Sequence, residues 1–293
     1  MLSFEKVLSS WPMDSAQSQE FPVVFDLAEG KAVGIVHPGT AARQEGVVIA
    51  VGGPQYRVGS HRQFLLLARF LASRGTDVFR FDYSGMGDSE GPHVGFTNTF
   101  PQIRRAIDEF LARRPGLQGV TAWGLCDAAS TIAAHCATDP RIKRVVLVNP
   151  WVRSDTSLAR TRVKHYYLRR LLDKEFWQKV FSGKFRPGRS FKSLAGNVRL
   201  AASGESSGAG ASLSDEMAAG LQQFEGEVLI VLCGADVTAL EFEEVASGSP
   251  AWSAVLDKPN VTVRRLDNAN HTFSRESWRR AVFEWTAHLV EVQ

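Results

Sequence analysis

Short apolar runs alternate with amphipathic stretches along most of this chain, and that alternation restricts the fold more than any other feature. Segments at 46–51 (GVVIAV), 77–81 (DVFRF), 120–123 (VTAW), 144–148 (RVVLV), 228–232 (VLIVL) and 261–266 (VTVRRL) have strand length, and the first is a continuous apolar run. Apolar runs with little alternation suit strands covered on both faces. Between them, 61–74, 98–113 and 127–138 carry helical spacing, with Gly75 and Pro115-Gly116 ending the first two. Further helices are expected near 241–256 and over 274–290. Residues 21–37 alternate and turn at Glu29-Gly30, which predicts a β-hairpin. The expectation is an α/β fold, a doubly wound, mostly parallel sheet with right-handed crossovers.

The alternation breaks near residue 150. Residues 151–200 hold 13 Lys/Arg against 3 Asp/Glu, whereas the rest of the chain holds 21 against 28. Residues 202–214 (AASGESSGAGASL) have the composition of a flexible connector. We therefore expect a core made of 1–149 and 224–293, interrupted by a helical, basic cap insertion over 150–223.

Composition excludes several classes. With 44% hydrophobic and 22% charged residues over 293 positions, the chain is neither disordered nor fibrous. No stretch approaches the roughly 18 apolar residues of a membrane span. The start, MLSFEKVLSSWPMDSAQSQE, lacks a basic segment followed by an apolar one, so no signal peptide is expected. Cys126, Cys136 and Cys233 match no zinc spacing and suit reduced thiols in the cytoplasm. A net charge of +3 does not by itself imply nucleic acid, and neither a cofactor nor a metal is expected.

The sharpest local signal is GLCDAA at 124–129, between a strand and a helix. This matches the nucleophile elbow G-x-S-x-G with Cys in place of Ser and Ala in place of the second Gly. The nucleophile of such an elbow sits on a tight, strained turn, so the residues two away must be small. Gly124 and Ala128 are small. The helix that follows directs N–H groups and the positive end of its dipole at the site, which favours a thiolate. Taken alone, Cys126 also fits a small core residue, and His271 a surface loop histidine.

Chain order decides between these readings. Nucleophile, acid and histidine follow one another in this type of site. Asp236 comes just after the strand at 228–232, and His271 just after the strand at 261–266. Open α/β sheets collect catalytic groups at the carboxyl ends of their strands. The expected triad is Cys126 as nucleophile, His271 as base and Asp236 as the acid that orients the imidazole. Asp267 is the rival acid, expected to cap its loop instead. His61 and His165 fall in predicted helices. An oxyanion hole needs two donors. One is the N–H of Asp127. The other lies in Gly52-Gly53-Pro54-Gln55, where Pro54 has no N–H, leaving Gly53 or Gln55, with Gln55 preferred as lying further into the turn. Asp82, in FRFDYSGMGDSEG, is expected to hold a turn.

These residues together resemble the α/β-hydrolase fold over nearly the whole chain. More narrowly, VVIAVGGPQYRVGSHRQF, FRFDYSGMGDSEG, WGLCDAAS, LCGADVTALEF and NANHTF resemble the exosortase A system-associated hydrolases, type 1. That resemblance implies a bacterial, cytoplasmic hydrolase linked to exopolysaccharide production and to the sorting of surface proteins. It leaves the substrate undefined.

The expected function is a thiol-dependent hydrolase or acyltransferase acting on a small ester or thioester. Arg160, Arg162, Lys164, Arg169 and Arg170 suit either recognition of an anionic substrate group or a plain solvated helix face. A second reading takes RTRVKHYYLRR at 160–170 as an interfacial segment docking on anionic lipid or on an exopolysaccharide enzyme, with catalysis weak. Nucleic-acid binding has no motif to support it.

Overall fold

A computed structural model describes residues 20–41, 43–53, 55–152 and 212–291. One sheet holds β1 (Phe21–Leu27), β2 (Gly30–His37), β3 (Glu45–Ala50), β4 (Val78–Phe81), β5 (Gly119–Leu125), β6 (Ile142–Val148), β7 (Glu227–Cys233) and β8 (Val261–Leu266). Their order across it is β1-β2-β4-β3-β5-β6-β7-β8. The hairpin β1–β2 is antiparallel and adds to β4 antiparallel, whereas β4, β3, β5, β6, β7 and β8 run parallel. This is the α/β-hydrolase fold, with an eight-stranded, mostly parallel sheet.

Residue pattern explains each strand's place. On β1, Val23 and Phe25 are buried while Val24 is 56% exposed, the alternation of an edge strand with one wet face. All seven residues of β5 are buried, so that strand is covered on both faces. The covering helices are α1 (Gln63–Ser73), α2 (Phe100–Arg113), α3 (Asp127–His135), α4 (Leu213–Gln223), α5 (Val237–Ser247), α6 (Pro250–Leu256) and α7 (Glu276–Glu291). Trp123 of β5 meets Phe64 of α1 edge-on at 5.7 Å and donates its indole N–H to Thr286 of α7 at 3.3 Å. On β4, Phe79 stacks on Phe110 of α2, with ring centroids 5.6 Å apart.

Three elements depart from the sequence expectation. α1 starts at Gln63, not at 61, because His61 and Arg62 take φ of 53° and 60°. The single helix expected near 241–256 is two helices. Pro250 cannot continue α5, and Ser249 instead caps α6 by accepting from the Trp252 N–H at 3.5 Å. Residues 213–223, assigned from sequence to the end of the insertion, form α4. That helix opens with a capping box between Ser212 and Asp215 and packs on α3 so closely that a Cβ at Gly220 would lie 2.3 Å from the Ala133 carbonyl. Met217 and Leu221 of α4 are fully buried, so a crossover helix of the core lies where the insertion was expected to end. Residues 153–211, with the basic stretch and its Arg160, Arg162, Lys164, His165, Arg169 and Arg170, lie outside the described residues. Among the described residues no helix is long and apolar enough to cross a membrane.

Phe110 is fully buried. Phe110→Ala is expected to cost about 3–5 kcal/mol, the usual range for emptying an aromatic core site, read from the shift of a urea denaturation curve.

Candidate active site

β5 ends at Leu125 and α3 begins at Asp127, so Cys126 alone carries the reversal from strand to helix. Its φ of 59° and ψ of −124° are conformations that cost an L residue on the order of 1–3 kcal/mol. The surroundings hold it there. Its N–H donates to the Val148 carbonyl at 2.9 Å, and its carbonyl accepts from the N–H and the hydroxyl of Ser130, both at 3.2 Å. A Cβ at Gly124 would lie 2.8 Å from the Ala129 nitrogen. The small residue predicted at position 124 is thus required by contact. A Cβ at Gly52 would lie 1.7 Å from the Leu125 carbonyl oxygen, so the loop after β3 rests directly on the elbow. Cys126 is half-buried and reachable, whereas Cys136 and Cys233 are enclosed, and burial pushes both of those thiols up to about 12.

Asp236 caps α5. Its Oδ1 accepts from the Thr238 N–H at 3.1 Å, and its Oδ2 lies 2.6 Å from Nδ1 of His271. Both carboxylate oxygens are therefore committed, which fixes the orientation of the acceptor. The two loops are also laced together, since Gly234 donates to the Leu266 carbonyl at 2.9 Å and Ala235 to the Ala269 carbonyl at 3.1 Å. With Nδ1 engaged, Nε2 is left for Cys126. Burial disfavours the charged ring, but its hydrogen bonds to Asp236 and Cys126 and the charges of both outweigh it, raising His271 to about 10. Asp267 stands apart, 83% exposed and 3.6 Å from Arg265. His61 is exposed in the turn before α1. The sheet thus brings Cys126, His271 and Asp236 to one place and leaves Asp267 and His61 outside it.

The loop after β3 corrects one expectation. The Gln55 N–H closes back on the Gly53 carbonyl at 2.8 Å, and the Gln55 side chain staples the loop through the Gly52 carbonyl and Ser60, each at 3.0 Å. Gln55 is thereby consumed by the turn. Gly53, at φ of 66°, aims its N–H at the elbow instead, where it donates to Oδ1 of Asp127 at 2.6 Å. Asp82 has the structural role expected of it and also reaches this loop. Its carboxylate accepts from the Asp88 N–H at 3.1 Å and from the backbone N–H of Arg57 at 2.5 Å, and it pairs with the Arg57 guanidinium. Arg80 donates to the Arg57 carbonyl at 3.0 Å. Sequence reasoning missed Arg57, because a lone arginine in a loop shows no partner until β3 and β4 lie side by side. Among the described residues no group of three or more His, Cys, Asp or Glu is placed to hold a metal ion.

An eight-stranded, mostly parallel sheet, with Cys126 turning β5 into α3 and Asp236 and His271 in the loops after β7 and β8, has the layout of the α/β hydrolases. The model of the alpha/beta hydrolase family matches residues 47–285, and the chain belongs to that family. No curated protein sequence matches significantly. Among solved structures, a Pyrococcus furiosus esterase is similar at a TM-score of 0.64 and 14% identity, over 93% of this chain and 90% of its own. An alpha/beta hydrolase from Penicillium sp. gives 0.60 and 14%, over 93% and 98%. A proline iminopeptidase from Mycobacterium smegmatis gives 0.54 and 14%, over 92% and 99%. At such identities the likeness establishes the fold.

The raised His271 titration carries a sign. A cation favoured in the folded state stabilises fully below the unfolded value near 6.5, and that contribution is lost as pH rises through about 10. Urea unfolding of the wild type and His271→Asn, from about pH 6 to about pH 10, is expected to show the wild type's advantage shrinking steadily across that window.

Proposed function

We propose that the protein hydrolyses or transfers the acyl group of a small ester or thioester through Cys126, His271 and Asp236. The observation that carries this reading is the 2.6 Å contact between Asp236 Oδ2 and His271 Nδ1, which leaves the other ring nitrogen to Cys126 at the elbow. The Cys126 sulfur attacks the carbonyl carbon, forming a C–S bond. The carbonyl oxygen takes the negative charge and is met by the N–H groups of Gly53 and Asp127. Collapse breaks the bond to the leaving group, which receives a proton from the His271 imidazolium. Water or an acceptor hydroxyl then gives its proton to His271 and attacks the thioester. The C–S bond breaks and the thiolate returns. Asp236 keeps the imidazole in the tautomer and orientation both half-reactions need.

Cysteine supports turnover in this scheme because a thiolate attacks well at neutral pH when held beside an imidazolium. The resemblance of GLCDAA, LCGADVTALEF and NANHTF to the exosortase A system-associated hydrolases favours a bacterial exopolysaccharide setting. In such a setting a sugar hydroxyl is a natural acyl acceptor.

Intact-protein mass spectrometry after incubation with activated esters and acyl thioesters tests the scheme. The wild type is expected to gain an acyl adduct that maps to Cys126 and is absent from Cys126→Ala. His271→Ala is expected to slow acylation by about 10²-fold or more, and Asp236→Asn by less. Equal rates in Asp236→Asn and wild type would remove Asp236 from the triad.

A further inference from the structure

The two N–H groups that the proposed mechanism needs for an oxyanion are already facing an anion that belongs to the protein. Gly53 donates its N–H to Oδ1 of Asp127 at 2.6 Å, a short, charge-assisted contact. The same carboxylate is stabilised by the N–H groups of Ala128 and of Asp127 itself, at the first turn of α3. The glycine at 52 leaves room for it, since a Cβ there would lie 3.0 Å from Asp127 Oδ1. One oxygen of a half-buried side chain thus stands where the negatively charged oxygen of a tetrahedral intermediate would sit. We propose that the Asp127 carboxylate is a built-in occupant of the oxyanion hole, and that it must leave before an acyl substrate can react. The inference rests on the reading of Cys126 as nucleophile and adds a residue that sets which substrates gain access.

Further observations support it. The loop that supplies the Gly53 donor is held on both sides, by Gln55 bonding back within it and by the Asp82–Arg57 pair beyond it, so the donor cannot easily retreat. The side chain therefore has to move, not the loop. A small cavity with room for about one water molecule is lined by Tyr83, Met86, His93, Phe96, Thr99 and Asp127 itself, so the carboxylate borders space on that side. Tyr83 is a protonated donor there, since burial and then the charge of Asp127 hold its phenol well above the usual range. Burial also raises the Asp127 carboxyl, and the three N–H groups and the His271 charge only partly offset this. A substrate whose leaving group or acyl chain brings a hydrogen-bond donor or a cation to that cavity would draw the carboxylate aside, whereas a plain ester would have to displace it unaided.

Two probes separate the oxyanion hole from the thiol. Acylation by p-nitrophenyl acetate builds negative charge on a carbonyl oxygen and needs the hole. Alkylation by iodoacetamide displaces iodide from an sp³ carbon and does not. Rates of both at Cys126 are to be measured by intact-protein mass spectrometry on the full chain, as wild type, Asp127→Ala and Asp127→Asn. The ratio of acylation to alkylation is expected to rise about tenfold or more in Asp127→Ala, because two donors are returned to the substrate. Asp127→Asn, which keeps the shape without the charge, is expected to rise less. Asp127→Asn carries the comparison if the alanine variant does not fold. An unchanged ratio overturns the inference, and so does a fall, which would make the side chain a donor to the intermediate. If no protein is acylated while Cys126 is still alkylated, the nucleophile reading itself fails and this inference with it. Acylation of the wild type with no gain in either variant overturns this inference alone.

Discussion

Everything at this site follows from holding one residue in a backbone conformation that it would not choose. Cys126 turns the chain from β5 into α3 at a φ of 59°, and no glycine relieves it. The restraint is distributed. Val148 and Ser130 bond the peptide groups on either side, Gly124 lets α3 press against the strand, and Gly52 lets the neighbouring loop rest on the Leu125 carbonyl. A fully buried sheet centre supplies the stiffness, because β5 is covered on both faces along its whole length. The strain is thus local while its support extends over three strands, which is how a folded chain keeps an unfavourable turn.

The electrostatics of the site depend on the same turn. Reversing direction at Cys126 puts the first turn of α3, whose N–H groups have no partner within the helix, beside the sulfur. That end of a helix attracts negative charge. Three candidates for that charge lie within reach: the sulfur, the oxygen of a reacting carbonyl, and the carboxylate of Asp127. His271 carries the compensating positive charge and is itself held by Asp236. The site is a small set of anions sharing one cation and one helix end, so which anion occupies which donor decides its state.

Much of this was legible in the sequence, and the limits have physical causes. The strands were visible because a two-sided environment leaves nearly uninterrupted apolar runs, as in VLIVL of β7. The meeting of Cys126, His271 and Asp236 was legible because the parallel sheet turns chain order into spatial order, placing the residues after β5, β7 and β8 together. The break between α5 and α6 was missed although Pro250 marks it, since the apolar spacing carries on through it. The choice of Gln55 as a donor failed because distance along a turn does not tell which N–H closes the turn and which points out of it. Arg57 and the side chain of Asp127 act through partners about 25 and 74 residues away in the chain, and pairings of that kind have no local signature.

Asp236 joins two structures with one side chain. Its Oδ1 closes the first turn of α5, and its Oδ2 aligns the imidazole. Helix ends fray at free energies well below that of global unfolding. When this end of α5 frays, the carboxylate rotates with it and the imidazole loses its anchor, although the sheet stays intact. Warming would therefore free the His271 imidazole through a reversible loosening of one helical turn, at temperatures where spectroscopic probes of the sheet still register a native protein.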